Sequence, residues 1–331
     1  MRIALALRPG LLPAFLSPRE LARLHDIGDV VTLADPLDLS STSSRAALSD
    51  AEIVVTGWGT AMIDADVLEH APLLRAVAHT AGSVRAHVDP IAFERGIAVS
   101  SQVEANARPV AEYALSMILL AGKRAFRIAQ AYRAKRTAVD QIEALAGAGN
   151  NGSTVGIVGA SRTGRLVLEY LRPFDIRVLV HDPYLSPEIA TAMEVESVEL
   201  DELMSRSDVI SLHAPLLDTT RGMISAPLLA RMPDGATLIN TARGGLIDQA
   251  ALVRELRSGR IGAILDVTDP EVLPENSELW DLANVFITPH IAGSGGNELL
   301  RLGAGTVDEV ESFARTGHFQ HPVAPSFEIS A

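Results

Sequence analysis

The sequence predicts an α/β protein with two parallel β-sheets. Short apolar runs alternate with helical stretches along its 331 residues, a pattern typical of strands joined by crossover helices. The runs fall into two series, with a turn-rich stretch at residues 147–153 before the second series. A chain of this length is also long for a single hydrophobic core, so two domains are expected.

Five strand-like runs in the first hundred residues predict a small α/β domain. The runs are Ile3–Leu7, Val30–Leu33, Ile53–Thr56, Ala76–His79 and Ile97–Ser100. Helical segments at Pro18–Leu24 and Asp64–His70 lie between some of them. Further along, Pro109–Arg124 predicts a buried helix that opens the second domain. Pro109 suits the first position of a helix, and the apolar face is too broad for a surface helix.

Six later runs predict a doubly wound parallel sheet of the Rossmann or flavodoxin type. They are Thr154–Val158, Arg177–Val180, Val209–Leu212, Ala236–Asn240, Ile261–Leu265 and Val285–Thr288. Strands at this spacing suit a dinucleotide-binding fold, in which ligands bind at the carboxyl ends of the strands.

The composition excludes several classes of function. The chain has 28 Lys and Arg against 41 Asp and Glu, a net charge of −13, which disfavours a nucleic-acid or anionic membrane partner. It has no cysteine, so disulfides, zinc–thiolate sites and thiol catalysis are excluded. No run reaches transmembrane length, and the apolar start Met1–Leu7 is too short for a signal peptide. A cytoplasmic protein is therefore expected.

Three runs of the second series lead into a charged or titratable residue. Arg243, Glu271 and His290 follow Ala236–Asn240, Ile261–Val267 and Val285–Thr288, respectively. Taken singly, each is more often a surface residue than a functional one, but all three share the same placement after a strand. Together they supply an anion clamp, an orienting carboxylate and a general acid–base. These groups suit the reduction or oxidation of a small 2-oxo or 2-hydroxy acid, and that chemistry needs no metal.

The motifs around these residues resemble those of the NAD-dependent, D-isomer specific 2-hydroxyacid dehydrogenase family. They are Leu238–Asp248 (LINTARGGLID), Asp266–Glu271 (DVTDPE) and Thr288–Ile291 (TPHI). The resemblance implies that Arg243 binds the carboxylate and carbonyl of the substrate. It also implies that His290 is the acid–base and that Glu271 pairs with His290. A carboxylate beside the imidazole favours its protonated form, which is the form needed to reduce a carbonyl.

The resemblance further implies a domain organisation, a cofactor and an assembly. A substrate domain of residues 1–100, completed by 295–331, is interrupted by an NAD-binding domain of residues 101–294. Composition alone would instead place a boundary at residues 147–153. The cofactor is NAD, and a homodimer forms through the helices near residues 101–140.

A glycine-rich loop between a strand and a helix is the candidate phosphate site. Gly159 and Gly164 occupy the first and third places of the G-x-G-x-x-G pattern, whereas Ser161 holds the second. The serine Oγ could bond a phosphate oxygen, although its Cβ departs from the pattern. The remaining residues assigned to the cofactor are Arg162, Thr163, Asp182, His213, Ala214, Pro215, Thr241, Ala242 and Asp266.

Two of these cofactor residues have a second interpretation. Asp182 lies 18 residues beyond Gly164, where a carboxylate bonds the ribose hydroxyls and repels a 2′-phosphate, so NAD is favoured over NADP. It also suits a turn before Pro183, and both roles can hold at once. His213 lies in a loop that packs beside the cofactor in the family, but a structural histidine at a strand end is equally consistent.

The substrate is expected to contact loops of the first domain. Gly82, Ser83 and Val84 match the family loop whose backbone N–H groups hold the substrate carboxylate, although the second glycine of that loop is missing. Arg85 has no assigned role and suits a solvated surface. Trp58 also follows a strand, where it would either wall the substrate pocket or pack in the core.

The predicted function is hydride transfer between NAD(H) and a small 2-hydroxy or 2-oxo acid. Formate dehydrogenases usually carry Gln at the place of Glu271, and phosphoglycerate dehydrogenases often carry a regulatory domain for which 331 residues leave little room. A phosphite-type dehydrogenase and an NAD-sensing corepressor, which is a binding scaffold on the same fold, remain the alternatives.

Overall fold

The computed structural model describes residues 1–324 and contains two compact units. Of the described residues, the first unit comprises Met1–Ala107 and residues 294–324, and the second comprises Arg108–Gly293. The second unit is therefore an insertion in the first. These bounds differ by several residues from the expected division near residue 100, because helix α6, Val103–Gly122, contributes residues to both units. Within the described residues, no helix is long and apolar enough to cross a membrane.

The first unit has a parallel sheet of five strands in the order β2-β1-β3-β4-β5. The strands are β1 Arg2–Ala6, β2 Asp29–Thr32, β3 Ile53–Thr56, β4 Ala76–His79 and β5 Ala98–Ser101. The helices are α1 Leu12–Phe15, α2 Pro18–Ile27, α3 Thr42–Leu48, α4 Ala65–His70, α5 Pro90–Glu94 and α14 Leu299–Thr316, and a 3₁₀ turn spans Gly296–Glu298. Side chains of Ser17, Ser41, Asp64 and Asp89 cap four of these helices by accepting backbone N–H bonds.

Helix α14 returns the chain to the first unit. Its buried residues Leu302 and Val310 belong to the same apolar cluster as Ile3 of β1. Gly303 allows close packing, because a Cβ there would collide with the carbonyl of Phe15. Arg23 of α2 donates to Glu311 and Asp308 of α14 at 2.6–2.8 Å, which fixes the two helices together.

The second unit has a parallel sheet of seven strands in the order β12-β11-β10-β9-β6-β7-β8. The strands are β6 Thr154–Val158, β7 Arg177–His181, β8 Glu196–Ser197, β9 Val209–Leu212, β10 Thr237–Asn240, β11 Gly262–Leu265 and β12 Val285–Ile287. The helices after α6 are α7 Ala125–Lys135, α8 Gln141–Ala144, α9 Arg162–Leu171, α10 Pro187–Ala192, α11 Leu200–Arg206, α12 Ala226–Arg231 and α13 Gln249–Arg257, with 3₁₀ turns at Gly244–Leu246 and Glu278–Trp280. The strand order reverses between β6 and β9, and at such a point the carboxyl ends form a ligand crevice.

Both sheets are the doubly wound parallel sheets that the alternating pattern predicts, with two differences in detail. Strand β8 was not predicted, because it has two exposed residues and pairs only with β7. The prediction that Pro109 begins a helix was wrong, since α6 already starts at Val103. Ala111, Ala114 and Ile118 of this helix are buried, as its apolar face predicts.

Candidate active site

His290 and Glu271 form a hydrogen-bonded pair beyond the ends of β12 and β11. His290 Nδ1 lies 2.5 Å from Glu271 Oε1, and both side chains are about half exposed. With Nδ1 engaged by the carboxylate, Nε2 is the ring nitrogen left to exchange a proton with a ligand. The structure thus joins two residues that are 19 positions apart in sequence and were predicted to pair.

The backbone of His290 is held by Asp266. His290 has φ of +52°, a left-handed conformation that is uncommon outside glycine. The buried carboxylate of Asp266 accepts the N–H groups of Ile291 and Ala292 at 2.9 Å, and its carbonyl accepts the N–H of His290 at 2.9 Å. Sequence reasoning assigned Asp266 to the cofactor alone and missed this supporting role.

Arg243 lies in a turn that Asn240 stabilises. The buried Asn240 side chain accepts the N–H of Ala242 at 3.0 Å and donates to the carbonyl of Arg243 at 2.9 Å. The Arg243 side chain is exposed and donates to the carbonyl of Ala242 at 2.7 Å. Asn240 was also missed, although an asparagine at the end of a strand is a recognisable turn-forming signal.

Gly244 brings the Arg243 turn against the loop that leads to Glu271. A Cβ on Gly244 would collide with the backbone of Thr268 and Asp269, so the two loops are in direct backbone contact. Strands β10, β11 and β12 are also neighbours in the sheet. Arg243, Glu271 and His290, called here the strand-end triad, therefore follow adjacent strands at one edge.

The glycine loop has the geometry of a phosphate site, with a serine that caps the following helix. Gly159 has φ of +96°, and a Cβ there would lie 2.6 Å from the backbone nitrogen of Ala214. A Cβ on Gly164 would collide with the carbonyl of Gly159. Ser161 is the N-cap of α9 and accepts the N–H of Gly164 at 3.3 Å. Ser161, which stands where the pattern has its second glycine, thus caps the helix. Its hydroxyl hydrogen can still be donated to a ligand.

Arg162 and Thr163 form the first turn of α9, directly after this cap. Backbone N–H groups at the start of a helix favour anions, so the loop and α9 together fit the pyrophosphate of a dinucleotide. Thr241 Oγ1 after β10 is buried and has no hydrogen-bond partner in the described part of the chain. An orphaned hydroxyl at that edge is consistent with a ligand group beside it.

Asp182 forms the predicted turn and also holds the glycine loop. One carboxylate oxygen accepts the N–H of Tyr184 at 2.8 Å, and the other accepts the N–H of Ala160 at 2.7 Å. A carboxylate has about four acceptor positions, so positions remain for ribose hydroxyls. The turn is therefore observed, and the ribose contact stays a prediction.

His213 is buried beside the glycine loop. Its Nε2 lies 2.9 Å from Ser211 Oγ, and burial lowers its pKa to about 4. The ring is consequently neutral near pH 7, which excludes a role as a second protonated acid. A Cβ on Gly159 would collide with the backbone of His213 and Ala214, so these residues pack directly against the glycine loop. Pro215, the next residue, is half-buried.

The predicted substrate loop in the first unit is tied down at both ends. The carbonyl of Ala81 accepts the N–H of Gln102 at 2.8 Å, whereas Val84 is buried in the core. Gly82 is buried and Ser83 half-buried. Trp58 is 37% exposed and its ring centroid lies 5.5 Å from that of Phe15, so it packs on the core without being buried in it. Its role as a wall of the substrate pocket stays a prediction.

Two histidines that sequence reasoning did not single out flank this substrate loop. The rings of His79 and His87 stack with centroids 4.8 Å apart. His79 Nδ1 lies 2.9 Å from Thr56 Oγ1, and His87 Nδ1 lies 2.8 Å from the carbonyl of Thr60. Burial, and then the neighbouring His87, lower the pKa of His79 to about 3. The pair thus links the loops after β3 and β4. No metal-binding cluster of His, Asp or Glu occurs within residues 1–324.

Residues 115–292 match the family model of the "D-isomer specific 2-hydroxyacid dehydrogenase, NAD binding domain". Among curated proteins, D-3-phosphoglycerate dehydrogenase of Mycobacterium leprae is 34% identical over 312 residues, which cover 93% of this chain and 58% of that protein. The human D-3-phosphoglycerate dehydrogenase is 32% identical over 85% of this chain and 52% of its own length. The chain therefore spans a little over half the length of these relatives.

Solved structures resemble the chain over nearly its whole length. The TT0316 protein from Thermus thermophilus is 31% identical, with a TM-score of 0.78 and coverage of 98% of this chain and 100% of that one. D-lactate dehydrogenase from Aquifex aeolicus, complexed with NAD and lactic acid, is 27% identical with a TM-score of 0.73, covering 97% and 99%. D-2-hydroxyisocaproate dehydrogenase, at 23% identity and a TM-score of 0.80, shares the fold.

Proposed function

This chain belongs to the D-isomer specific 2-hydroxyacid dehydrogenases, and from that premise we propose that it transfers a hydride between NAD(H) and a small 2-hydroxy or 2-oxo acid. The observation that carries the proposal is the 2.5 Å contact between His290 Nδ1 and Glu271 Oε1. Arg243 follows a neighbouring strand at the same sheet edge, which supports the proposal that the cation acts together with this pair.

His290 is proposed as the proton donor during reduction. Negative charge builds up on the carbonyl oxygen as the hydride adds to the carbon, and a proton from His290 Nε2 neutralises it. The Glu271 carboxylate, bound to Nδ1, orients the ring and leaves Nε2 as the nitrogen that exchanges the proton. In the oxidative direction the neutral ring takes the hydroxyl proton.

Arg243 is proposed to bind and orient the acid. A guanidinium can bond both the carboxylate and the carbonyl oxygen of a 2-oxo acid through its parallel N–H groups. Its exposed side chain donates to the carbonyl of its neighbour Ala242, a bond that a substrate carboxylate can replace. Backbone N–H groups at Gly82, Ser83 and Val84, and the ring of Trp58, are proposed as further substrate contacts.

The residues of the second unit fit NAD, which supplies or accepts the hydride when bound. A Cβ on Gly159 or Gly164 would collide with neighbouring backbone, so the loop packs closely at both glycines, and the start of α9 offers N–H groups to a pyrophosphate. Asp182, with acceptor positions left over, is proposed to bond the ribose hydroxyls and disfavour a 2′-phosphate. Asp182→Ser should then relax discrimination against NADP. A wild-type protein that already prefers NADP would refute this assignment.

Steady-state turnover with NADH tests the proposed function. A panel of glyoxylate, pyruvate, hydroxypyruvate, its 3-phosphate and bulkier 2-oxo acids should include at least one substrate, with a D-configured product wherever the product is chiral. The phosphorylated acid is included because the curated relatives are D-3-phosphoglycerate dehydrogenases. NADH binding without turnover of any acid would instead support the corepressor-like scaffold. Oxidation of phosphite with NAD⁺, in a protein that reduces none of the acids, would support the phosphite-type alternative.

The chain is also proposed to form a homodimer. Helix α7 has no buried residue, although it carries Ile128 and Tyr132, the second of which is 57% exposed. Ile142 of α8 is 87% exposed. Burial of these side chains against a second copy would remove apolar area from water. A monomer in analytical ultracentrifugation at micromolar concentration would refute the dimer. The cytoplasmic location stays a prediction.

A further inference from the structure

The turn that carries His290 rests on a network of hydroxyl and carboxylate groups, in which Asp266 is buried and Tyr113 and Thr288 are half-buried. Thr288 Oγ1 donates to Asp266 Oδ1 at 2.6 Å, and the phenol oxygen of Tyr113 lies 2.7 Å from Thr288 Oγ1. Tyr113 belongs to α6 and is 175 residues away from Thr288 in sequence. The network thus connects this helix to the turn that contains His290.

The direction of each bond follows from the number of hydrogens available. Thr288 has one hydroxyl hydrogen, and the carboxylate of Asp266 can only accept, so that hydrogen is donated to Asp266. The bond between Tyr113 and Thr288 therefore requires the tyrosine to donate. Burial raises the pKa of Tyr113, which keeps its phenol protonated and able to donate. The result is a one-way chain from Tyr113 through Thr288 to Asp266.

Asp266 in turn fixes the backbone on both sides of the ring. Its two oxygens accept from Thr288, Ile291 and Ala292, and its carbonyl accepts from His290. A left-handed backbone at a residue with a Cβ persists only where the surroundings fix it firmly. A change in the position of the Asp266 carboxylate would move the turn and hence the ring of His290.

We propose that Tyr113 is a positioning residue for His290, acting through Thr288 and Asp266. Tyr113 contacts none of the reacting atoms in this scheme. Its hydroxyl fixes the rotamer of Thr288. The hydroxyl of Thr288 is in turn one of the donors that orient the carboxylate of Asp266. This inference rests on the proposed function, since it assumes that His290 exchanges the proton.

Tyr113→Phe removes the hydroxyl and keeps the ring, so it tests the bond without removing packing. The expected result is a fall in kcat of about three- to tenfold, the factor that one hydrogen bond of ordinary strength represents. KM for NADH should change less than kcat does, because the glycine loop is untouched and Asp266 is the one residue assigned to the cofactor that lies in the network. Tyr170→Phe is the matched control, since Tyr170 is half-buried in the same unit and packs against its core. It should leave all kinetic parameters unchanged.

A double-mutant cycle separates positioning through Thr288 from a general loss of stability. Thr288→Val should lower kcat at least as far as Tyr113→Phe, and Thr288→Ser should restore most of it because the hydroxyl returns. Adding Tyr113→Phe to Thr288→Val should cause little further loss, since the tyrosine acts through the missing hydroxyl. Losses that multiply fully would overturn the proposal.

Hydrogen exchange gives a measurement that does not depend on turnover. The amides of Ile291 and Ala292 are bonded to Asp266, so Tyr113→Phe should speed exchange in peptides covering residues 288–292. Peptides covering the glycine loop should be unaffected. Unchanged exchange at 288–292 refutes the network even if kcat falls. Faster exchange in a protein that reduces no 2-oxo acid would leave the network intact and refute the proposed function instead.

Discussion

The strand-end triad and the glycine loop of the second unit place their functional residues in different ways. Arg243 and His290 are exposed, and buried neighbours hold their turns. Asn240 stabilises the arginine turn and Asp266 stabilises the histidine turn. At this edge, the residues proposed to act in the reaction are therefore different from the residues that hold their backbone in place.

In the glycine loop the residues proposed to bind the cofactor are also the ones that hold the loop in place. Ser161 caps α9 and is proposed to offer its hydroxyl to a phosphate, and Asp182 accepts the N–H of Ala160 and is proposed to bond the ribose. The difference between the regions has a testable meaning. Substitutions in the triad should change rate without changing stability, whereas substitutions in the loop should change cofactor binding and stability together.

His290→Asn should give the largest effect and the cleanest separation. Loss of general acid–base catalysis lowers turnover by about 10²–10⁴-fold. Asparagine tolerates the left-handed backbone better than most residues, so the turn should persist and the melting temperature should change little. Steady-state kinetics, NADH titration and thermal unfolding measure the three quantities. Full activity in this variant would refute the proposed mechanism.

Gly159→Ala should lower stability and NAD affinity in the same variant. Its φ of +96° is unfavourable for alanine, and the added Cβ would press on Ala214. We expect a loss of about 1–3 kcal/mol in the free energy of unfolding, the usual range for a strained backbone. Urea unfolding and NADH titration check this. Gly10→Ala, where a Cβ meets no neighbour, is the control. Weaker NADH binding at unchanged stability would contradict the comparison.

Glu271→Gln should lower the rate of reduction, but by less than His290→Asn does. Glutamine can still bond His290 Nδ1, so the ring keeps an orienting partner, whereas the charge-assisted bond of the carboxylate is lost. Because charge-assisted hydrogen bonds are about twice as strong as neutral ones, kcat should fall by up to about tenfold. Steady-state kinetics test this. An unchanged kcat would make Glu271 a bystander.

Ser161→Ala should give the smallest effect of the series. Loss of an N-cap hydroxyl costs about 1 kcal/mol of stability, whereas glycine at the same position costs only a few tenths. Urea unfolding should rank the variants in that order, and Ser161→Gly should keep NADH affinity closer to wild type than Ser161→Ala. Equal stability of the alanine variant and the wild type would show that the cap contributes nothing.

The fold and the strand-end triad were predictable because local patterns determine them. Apolar runs mark the strands, and parallel strands bring their carboxyl ends to one edge, which places Arg243, Glu271 and His290 near one another. The Asn240 turn was missed but was readable from local sequence. The partners of Tyr113 were not predictable, because its bond joins residues 175 positions apart and depends on how α6 packs on the sheet. The stack of His79 and His87 depends on tertiary packing in the same way.

Gly244 limits which changes an engineered version of this protein can accept. Its hydrogen lies where any larger group would enter the backbone of Thr268 and Asp269. A library that randomises the arginine turn to alter substrate preference should therefore keep this position fixed and vary the exposed positions around it. Insertions between Arg243 and Gly244 would separate the two loops and should be recovered rarely among active clones. The contact between Gly244 and the backbone of Thr268 and Asp269 thus determines which positions of the arginine turn can be varied and which cannot.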